Sequence, residues 1–269
     1  MDHVIIGGDE RFAWLARLLH WRGVEVGTIF REPVPDVPDL GADELRNATT
    51  AVVNYPPKLP ESGMTFEELL AELPGDARIF ACGPWHPDED ARVIDLWADE
   101  ALTRENARLT AEGALASAMQ ASESALRDMR CMLIGWGRIG QALTELLVAM
   151  GARVTVASRL AAGRNRAVER GAEAVYTGEI ADALPGHQLI FNTAPGMVLD
   201  AAALKSVDRE AMIIDLASPP YGVDLRAAWD MGLRAWREPG LPGRYCPRSA
   251  AMALLAAMER CDRGGKRHE

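Results

Sequence analysis

Residues 131–159 read CMLIGWGRIGQALTELLVAMGARVTVASR, and no other run constrains the fold so closely. A short apolar strand enters a Gly-x-Gly-x-x-Gly turn, an amphipathic helix leaves it, and a second strand follows about 20 residues on, the context that marks a dinucleotide-binding unit. Ile139, Ala142, Leu143, Leu146, Leu147 and Met150 fall at helical spacing, which predicts one buried stripe. Gly135 permits the tight turn, Gly137 lets the backbone approach a pyrophosphate, and Gly140 lets helix and strand pack closely. Phosphate oxygens at such a turn meet the free amides of a helix N-terminus, where the dipole favours anions. The predicted phosphate loop is therefore Gly135, Trp136, Gly137, Arg138, Ile139 and Gly140.

The end of the second strand bears on the choice of cofactor. An acid there binds the ribose hydroxyls of NAD, and it repels a 2′-phosphate. This chain has Ser158 and Arg159 instead, with Arg164 and Arg166 close behind. A guanidinium suits phosphate by its fork geometry. The pattern predicts NADP as the preferred cofactor and leaves NAD open, the alternative being that these arginines form a solvated surface.

The rest of the chain repeats the strand–helix alternation. HVIIG (3–7), VEVGTIF (24–30), TAVVN (50–54) and ARIFACG (77–83) read as strands. DERFAWLARLLHWRG reads as a helix with Asp9 as N-cap and Gly23 as its stop, FEELLAEL as a second helix, and DEDARVIDLWADEAL (88–102) as a third. Thr103 to Met129 is rich in Ala, Glu, Leu and Met and predicts a long helix. QLIFNTAP (188–195), AMIIDLAS (211–218) and LRAW (233–236) are further strands. The expected fold is α/β: two Rossmann-like doubly wound parallel-sheet domains joined by a long interdomain helix, with the cleft between them as the active site. The expected boundaries are 1–102 for the first domain, 103–129 for the helix and 130–246 for the NAD(P)-binding domain. A last helix over 247–262 is expected to return to the first domain, and 263–269 to form a flexible tail.

Ligands of such sheets bind outside the carboxyl ends of the strands. That places Asn192, Thr193 and Pro195 of FNTAPG, and Asp215 and Ser218 of IIDLASPPYG, beside the nicotinamide, unless they merely cap the helices that follow. The histidines form no recognisable triad; His86 lies near a strand end. Four cysteines without a CxxC pair or nearby histidines argue against a metal site and for free thiols in a reducing cytoplasm. A net charge of −10, from 29 basic against 39 acidic residues, argues against nucleic acid or an anionic membrane as partner. No apolar run approaches the roughly 20 residues of a membrane span, and the start, MDHVIIGGDERFAW, does not read as a signal peptide.

Seven segments, taken in order, resemble the dipicolinate synthase A-subunit family of spore-forming bacteria. They are GGDER (7–11), NARLTAEGAL (106–115), GWGRIGQAL (135–143), GARVTVASR (151–159), IFNTAP (190–195), IIDLASPPYGVD (213–224) and PGLPGRYCPRSAA (239–251). The chain departs from the family pattern at Pro219-Pro220-Tyr221-Gly222, where Pro-Gly-Gly is expected, at Tyr245-Cys246 and at Ser249-Ala250-Ala251. The resemblance implies an NAD(P)-dependent oxidoreductase of the lysine/diaminopimelate branch. It would convert dihydrodipicolinate, formed by water loss from 4-hydroxy-tetrahydrodipicolinate, to dipicolinate during sporulation. It implies a flavoprotein-like B subunit as partner and the mother-cell cytoplasm as location; a homo-oligomer stays open. A substrate with two carboxylates needs cations or hydroxyls. Arg11 is the candidate for one carboxylate, Arg248 and Ser249 for the other, and Glu112 for the proton acceptor. Two alternatives remain: another 2-hydroxyacid- or alanine-dehydrogenase-like oxidoreductase, and a non-catalytic nucleotide-binding regulatory subunit. A hydroxyacid dehydrogenase usually needs a catalytic histidine late in the nucleotide domain, and residues 215–251 contain none.

Overall fold

Short apolar runs, each closed by a glycine or a helix-capping residue, set up a repeated strand–helix rhythm. In the computed structural model, which describes residues 2–54, 65–83 and 90–265, this rhythm builds two units. They are Met1–Asn106 with Pro242–Glu269, and Ala107–Leu241. Each is built on a parallel sheet of Rossmann-like type.

The first unit runs β1 (His3–Ile6), α1 (Glu10–Trp21), β2 (Val26–Ile29), β3 (Thr50–Asn54), α2 (Phe66–Glu72), β4 (Arg78–Cys82) and β5 (Val93–Asp95). Its strand order is β2-β1-β3-β4-β5, all parallel. Alternation along each strand buries both faces. Ile5, Val26, Val52 and Phe80 pack with Phe12, Leu15 and Leu19 of α1, whereas Val4, Ile6, Val53 and Ile79 pack with Leu45, Leu69 and Leu73. Asp9 caps α1 by accepting a hydrogen bond from the Arg11 amide, and Gly23 follows the helix at φ +76°.

The helix expected over 88–102 is not there. Its middle is β5, paired with β4. Asp90 accepts from the Arg92 amide at 2.9 Å, while the Arg92 guanidinium donates to the carbonyls of Leu70, Leu73 and Pro74 at 2.9–3.1 Å. These bonds hold the chain in a turn and deliver β-branched Val93 and Ile94 to the sheet edge, so tertiary pairing overrides the helical pattern. His86 lies outside the described residues.

The long helix, α3 (Glu100–Ala121), begins earlier and ends sooner than expected. Ser122 Oγ accepts from the Ser124 amide at 3.1 Å and donates to its carbonyl at 2.9 Å. Such local bonds compete with helix continuation. From Ala107 the helix belongs to the second unit.

The second unit continues with β6 (Arg130–Ile134), α4 (Arg138–Ala149), β7 (Arg153–Ser158), α5 (Ala161–Glu169), β8 (Glu173–Tyr176), α6 (Ile180–Ala183), β9 (Leu189–Asn192), β10 (Met212–Asp215), α7 (Leu225–Asp230) and β11 (Arg234–Arg237). Its order, β11-β10-β9-β6-β7-β8, is that of a dinucleotide-binding sheet. Leu143 and Leu147 of α4 are fully buried; Ile139, Ala142 and Leu146 are half-buried, and Met150, at the helix end, is exposed. The chain then forms α8 (Leu241–Tyr245) and α9 (Pro247–Gly265). The α9 helix packs on α1 in the first unit and is tied down by Arg260, which holds Asp99 through two bonds of 2.7 and 2.9 Å. It extends past the expected 262 to Gly265, and residues 266–269 lie outside the described set.

Candidate nucleotide site

The β6–α4 turn is shaped by what its glycines exclude. Gly135 sits at φ +104°, and a Cβ there would lie 2.5 Å from Thr193 Oγ1. A Cβ on Gly140 would lie 2.3 Å from the Gly135 carbonyl oxygen. Gly137, the N-cap of α4, is different: a Cβ there would meet nothing within 4 Å, and no side chain caps the helix. The first-turn amides of a helix have no acceptor within it. Here no side chain caps them and the space beside Gly137 is open, which fits a pyrophosphate. Arg138 and Ile139 follow on the first turn, with Arg138 exposed.

Trp136 points its ring elsewhere. A Cβ on Gly163 of α5 would come within 3.1 Å of the indole, and the Arg170 guanidinium lies over the ring at 5.4 Å. The tryptophan therefore wedges the loop against α5, and its buried Nε1 has no hydrogen-bond partner.

At the end of β7, Ser158 is buried and its Oγ lies 3.5 Å from the Leu160 carbonyl. Arg159 is exposed and makes no ion pair among the described residues. Arg164 donates from Nη1 to the carbonyls of Ser158 and Arg159 at 2.8 and 3.0 Å and lies over Tyr176. It holds the turn that presents Arg159.

The ends of β9, β10 and β11 form a cross-strand row, because the register sets Asn192 opposite Asp215 and Asp215 opposite Arg237. Asn192 and Asp215 are fully buried. Asn192 Nδ2 donates to Asp215 Oδ1 at 2.8 Å, and its Oδ1 accepts from the Ala194 amide at 3.2 Å. Asp215 also accepts from the amides of Ala217 and Gly222. Both side chains are committed to hydrogen bonds inside the protein, where they hold the strand-end loops. Thr193 Oγ1 donates to the Ile134 carbonyl at 2.9 Å, joining β9 to the β6–α4 turn. Pro195 and Ser218 are exposed above these residues. Arg237, which sequence reasoning passed over, completes the row. The signal was present: a cation directly after an apolar strand, as at Arg159.

The remaining candidates lie on α3, on α1 and at the start of α9. Glu112 is exposed on α3, and no described side chain hydrogen-bonds it. Arg11, in the first unit, is held by Asp9 through Nε and Nη2 at 2.8–3.0 Å. Arg248 and Ser249 are exposed at the start of α9, with Arg248 over the Trp14 ring at 5.8 Å. A pocket of about 660 Å3 lies at the carboxyl ends of β1 and β2, lined by the carboxyl-bearing residues Asp9, Glu10, Glu32 and Asp39 and by Arg31. Burial pushes the thiols of Cys82 and Cys131 up to about 12, so neither is a nucleophile at neutral pH. Among the described residues no group of histidine, cysteine and carboxylate side chains could hold a metal, and no helix is long and apolar enough to cross a membrane.

Comparison with known proteins agrees with this geometry. Residues 100–218 match the family described as D-isomer specific 2-hydroxyacid dehydrogenase, NAD binding domain. The dipicolinate synthase A subunit of Bacillus subtilis (strain 168) is 29% identical over 169 residues, which are 63% of this chain and 57% of that protein. The crystal structure of the dipicolinate synthase A subunit from Bacillus halodurans superposes with a TM-score of 0.83 at 24% identity, covering 96% of this chain and 97% of the other. The crystal structure of its counterpart from Bacillus subtilis gives 0.82 at 22% identity, covering 100% and 98%. The chain is thus similar in sequence and in fold to dipicolinate synthase A subunits, and its second unit to the NAD-binding domain of the D-isomer specific 2-hydroxyacid dehydrogenases.

Proposed function

We propose that this chain is the A-type subunit of a dipicolinate synthase, an oxidoreductase that oxidises dihydrodipicolinate to dipicolinate with NADP as preferred cofactor. The observation that carries the reading is the uncapped N-terminus of α4 behind Gly135, Gly137 and Gly140, with Ser158 and Arg159 where an NAD site has an acid. The bound nicotinamide supplies the hydride acceptor. The chain's own residues do the rest. First-turn amides and Arg138 hold the pyrophosphate, Arg159 meets the 2′-phosphate, and the Asn192–Asp215 floor sets the loops that position the ring. Loss of hydride and a proton makes the ring aromatic, so the protein chiefly has to hold a near-attack pose. The proton acceptor proposed is Glu112, and the partner a flavoprotein-like B subunit in the mother cell of a sporulating bacterium.

The test generates 4-hydroxy-tetrahydrodipicolinate in situ, adds this chain with NADP+ or NAD+, with and without a B subunit, and follows dipicolinate by terbium luminescence. Product that depends on this chain, and forms faster with NADP+, is expected. No product in any arm, from folded protein that binds nucleotide, would overturn the reading. The match over residues 100–218 favours a second one, a 2-hydroxyacid dehydrogenase. The lack of histidine in 215–251 weighs against it, and oxidation of D-lactate by the same protein would establish it.

A further inference from the structure

We infer that Arg237 is an anion-recognition residue at the carboxyl edge of the second unit's sheet, taking a carboxylate of the oxidisable substrate. The proposed function enters only in naming that substrate. Arg237 ends β11, and its guanidinium carbon lies 3.4 Å from the centroid of the Tyr221 ring. A guanidinium carbon that close to the ring centroid is in van der Waals contact with the ring, a cation–π contact that restrains the side chain.

Arg237 is not simply the counter-ion of Asp215. Where this protein pairs arginine with aspartate for structure, the bonds are short. Arg11 meets Asp9 at 2.8–3.0 Å, and Arg260 meets Asp99 at 2.7 and 2.9 Å. Arg237 Nε and Nη2 lie 3.4 and 3.5 Å from Asp215 Oδ2, beyond an ordinary charged hydrogen bond. Asp215 is meanwhile satisfied by Asn192 at 2.8 Å and by backbone amides. Nη1 of Arg237 has no acceptor among the described residues. A half-buried guanidinium, restrained by the Tyr221 ring, with unsatisfied donors at the end of β11, is suited to an incoming anion.

That anion is a carboxylate and not a cofactor phosphate, by position. β11 lies three strands from β6, whose turn takes the pyrophosphate. At about 4.8 Å per strand this is about 14 Å. The 2′-phosphate position, at the end of β7, is one strand further. The proposed substrate carries two carboxylates, and Arg237 offers one of them a cation with donors to spare.

The test is binding, read by calorimetry on full-length protein saturated with NADPH, using pyridine-2,6-dicarboxylate and pyruvate as probes. R237Q should weaken the probe that binds wild type by about 10- to 100-fold, as expected for loss of charged hydrogen bonds, and change NADPH affinity less than about twofold. Unchanged carboxylate affinity in R237Q, or no carboxylate binding to wild type, overturns the inference. A loss confined to NADPH also overturns it and assigns Arg237 to the cofactor. Arg237-dependent binding of pyruvate but not of the pyridine dicarboxylate would sink the dipicolinate reading and leave this inference standing. Should R237Q not fold, Y221L keeps both charges and removes only the stacking platform. It should then weaken the carboxylate about threefold or more; no loss overturns the inference.

Discussion

Both units place a glycine-bearing turn between their first strand and the helix after it, yet only one of these turns is open to a phosphate. In the first unit Asp9 folds its carboxylate back onto the Arg11 amide and closes the N-terminus of α1. A Cβ on Gly8 would strike Phe12, and one on Gly243 would lie 2.6 Å from Asp9 Oδ2, so the turn is packed from both sides. In the second unit Gly137 stands where Asp9 stands, and the N-terminus of α4 has no side-chain cap. The charges at the strand ends differ in the same sense. The first unit's pocket carries Asp9, Glu10, Glu32 and Asp39 against the single cation Arg31; the second unit presents Arg138, Arg159 and Arg237. One parallel-sheet plan gives an anion site or a closed turn according to the residue at the helix cap.

Moving the cap is the strongest way to break this contrast. G137D should abolish nucleotide binding, by about 100-fold or more, through like-charge repulsion and loss of the free amide. Because a Cβ at Gly137 meets nothing within 4 Å, the variant should fold. Fluorescence titration with NADPH and a thermal melt check both halves; retained binding would mean that phosphate does not sit there. R159D should cost NADPH about 10-fold or more and leave NADH nearly unchanged, which ion-strength-matched titrations of both cofactors would show. Equal losses would remove Arg159 from cofactor choice. D9A should lower stability by about 1 kcal/mol, the usual worth of an N-cap, with nucleotide affinity unaltered. A urea melt with and without NADPH reads both.

The smallest effect concerns pH. Burial holds His187 below its ordinary value of 6.5, with Nε2 against Thr155 Oγ1 at 3.1 Å and Nδ1 against the Leu184 carbonyl at 3.2 Å. The first unit has its counterpart in His3, likewise lowered chiefly by burial, with Nδ1 unpartnered. For both, the folded state resists the proton that the unfolded chain accepts. Their stabilisation is full above pH 6.5 and is lost as pH falls from there towards the lowered folded value. Melts at pH 7 and pH 5 should show a lower Tm at pH 5, and H187Q should narrow the gap. An unchanged gap would show that His187 is not the group that titrates.

Much of this was legible from local pattern. Apolar runs, Asp9 before α1, Gly23 after it, and the Gly135–Gly140 turn each carry their meaning within a few residues, because capping and tight turns are local physics. The strand at Val93–Asp95 was not legible. Its residues fit a helical period, and only the Arg92 anchor and the edge of β4 select the extended form. The chemistry of the strand ends was half legible. Asn192, Asp215 and Ser218 could be placed at the edge, but which would face outward could not be read.

The sequence by itself determined the two parallel α/β units and the uncapped, cation-flanked phosphate turn, since hydrophobic period, glycine and helix cap act over short stretches. Only the tertiary structure decided that Asn192 and Asp215 bind each other and that the Arg237 guanidinium lies over the Tyr221 ring. Those pairings depend on the register of β9, β10 and β11, segments more than 20 residues apart in the chain, and side chains so distant meet only once the sheet has formed.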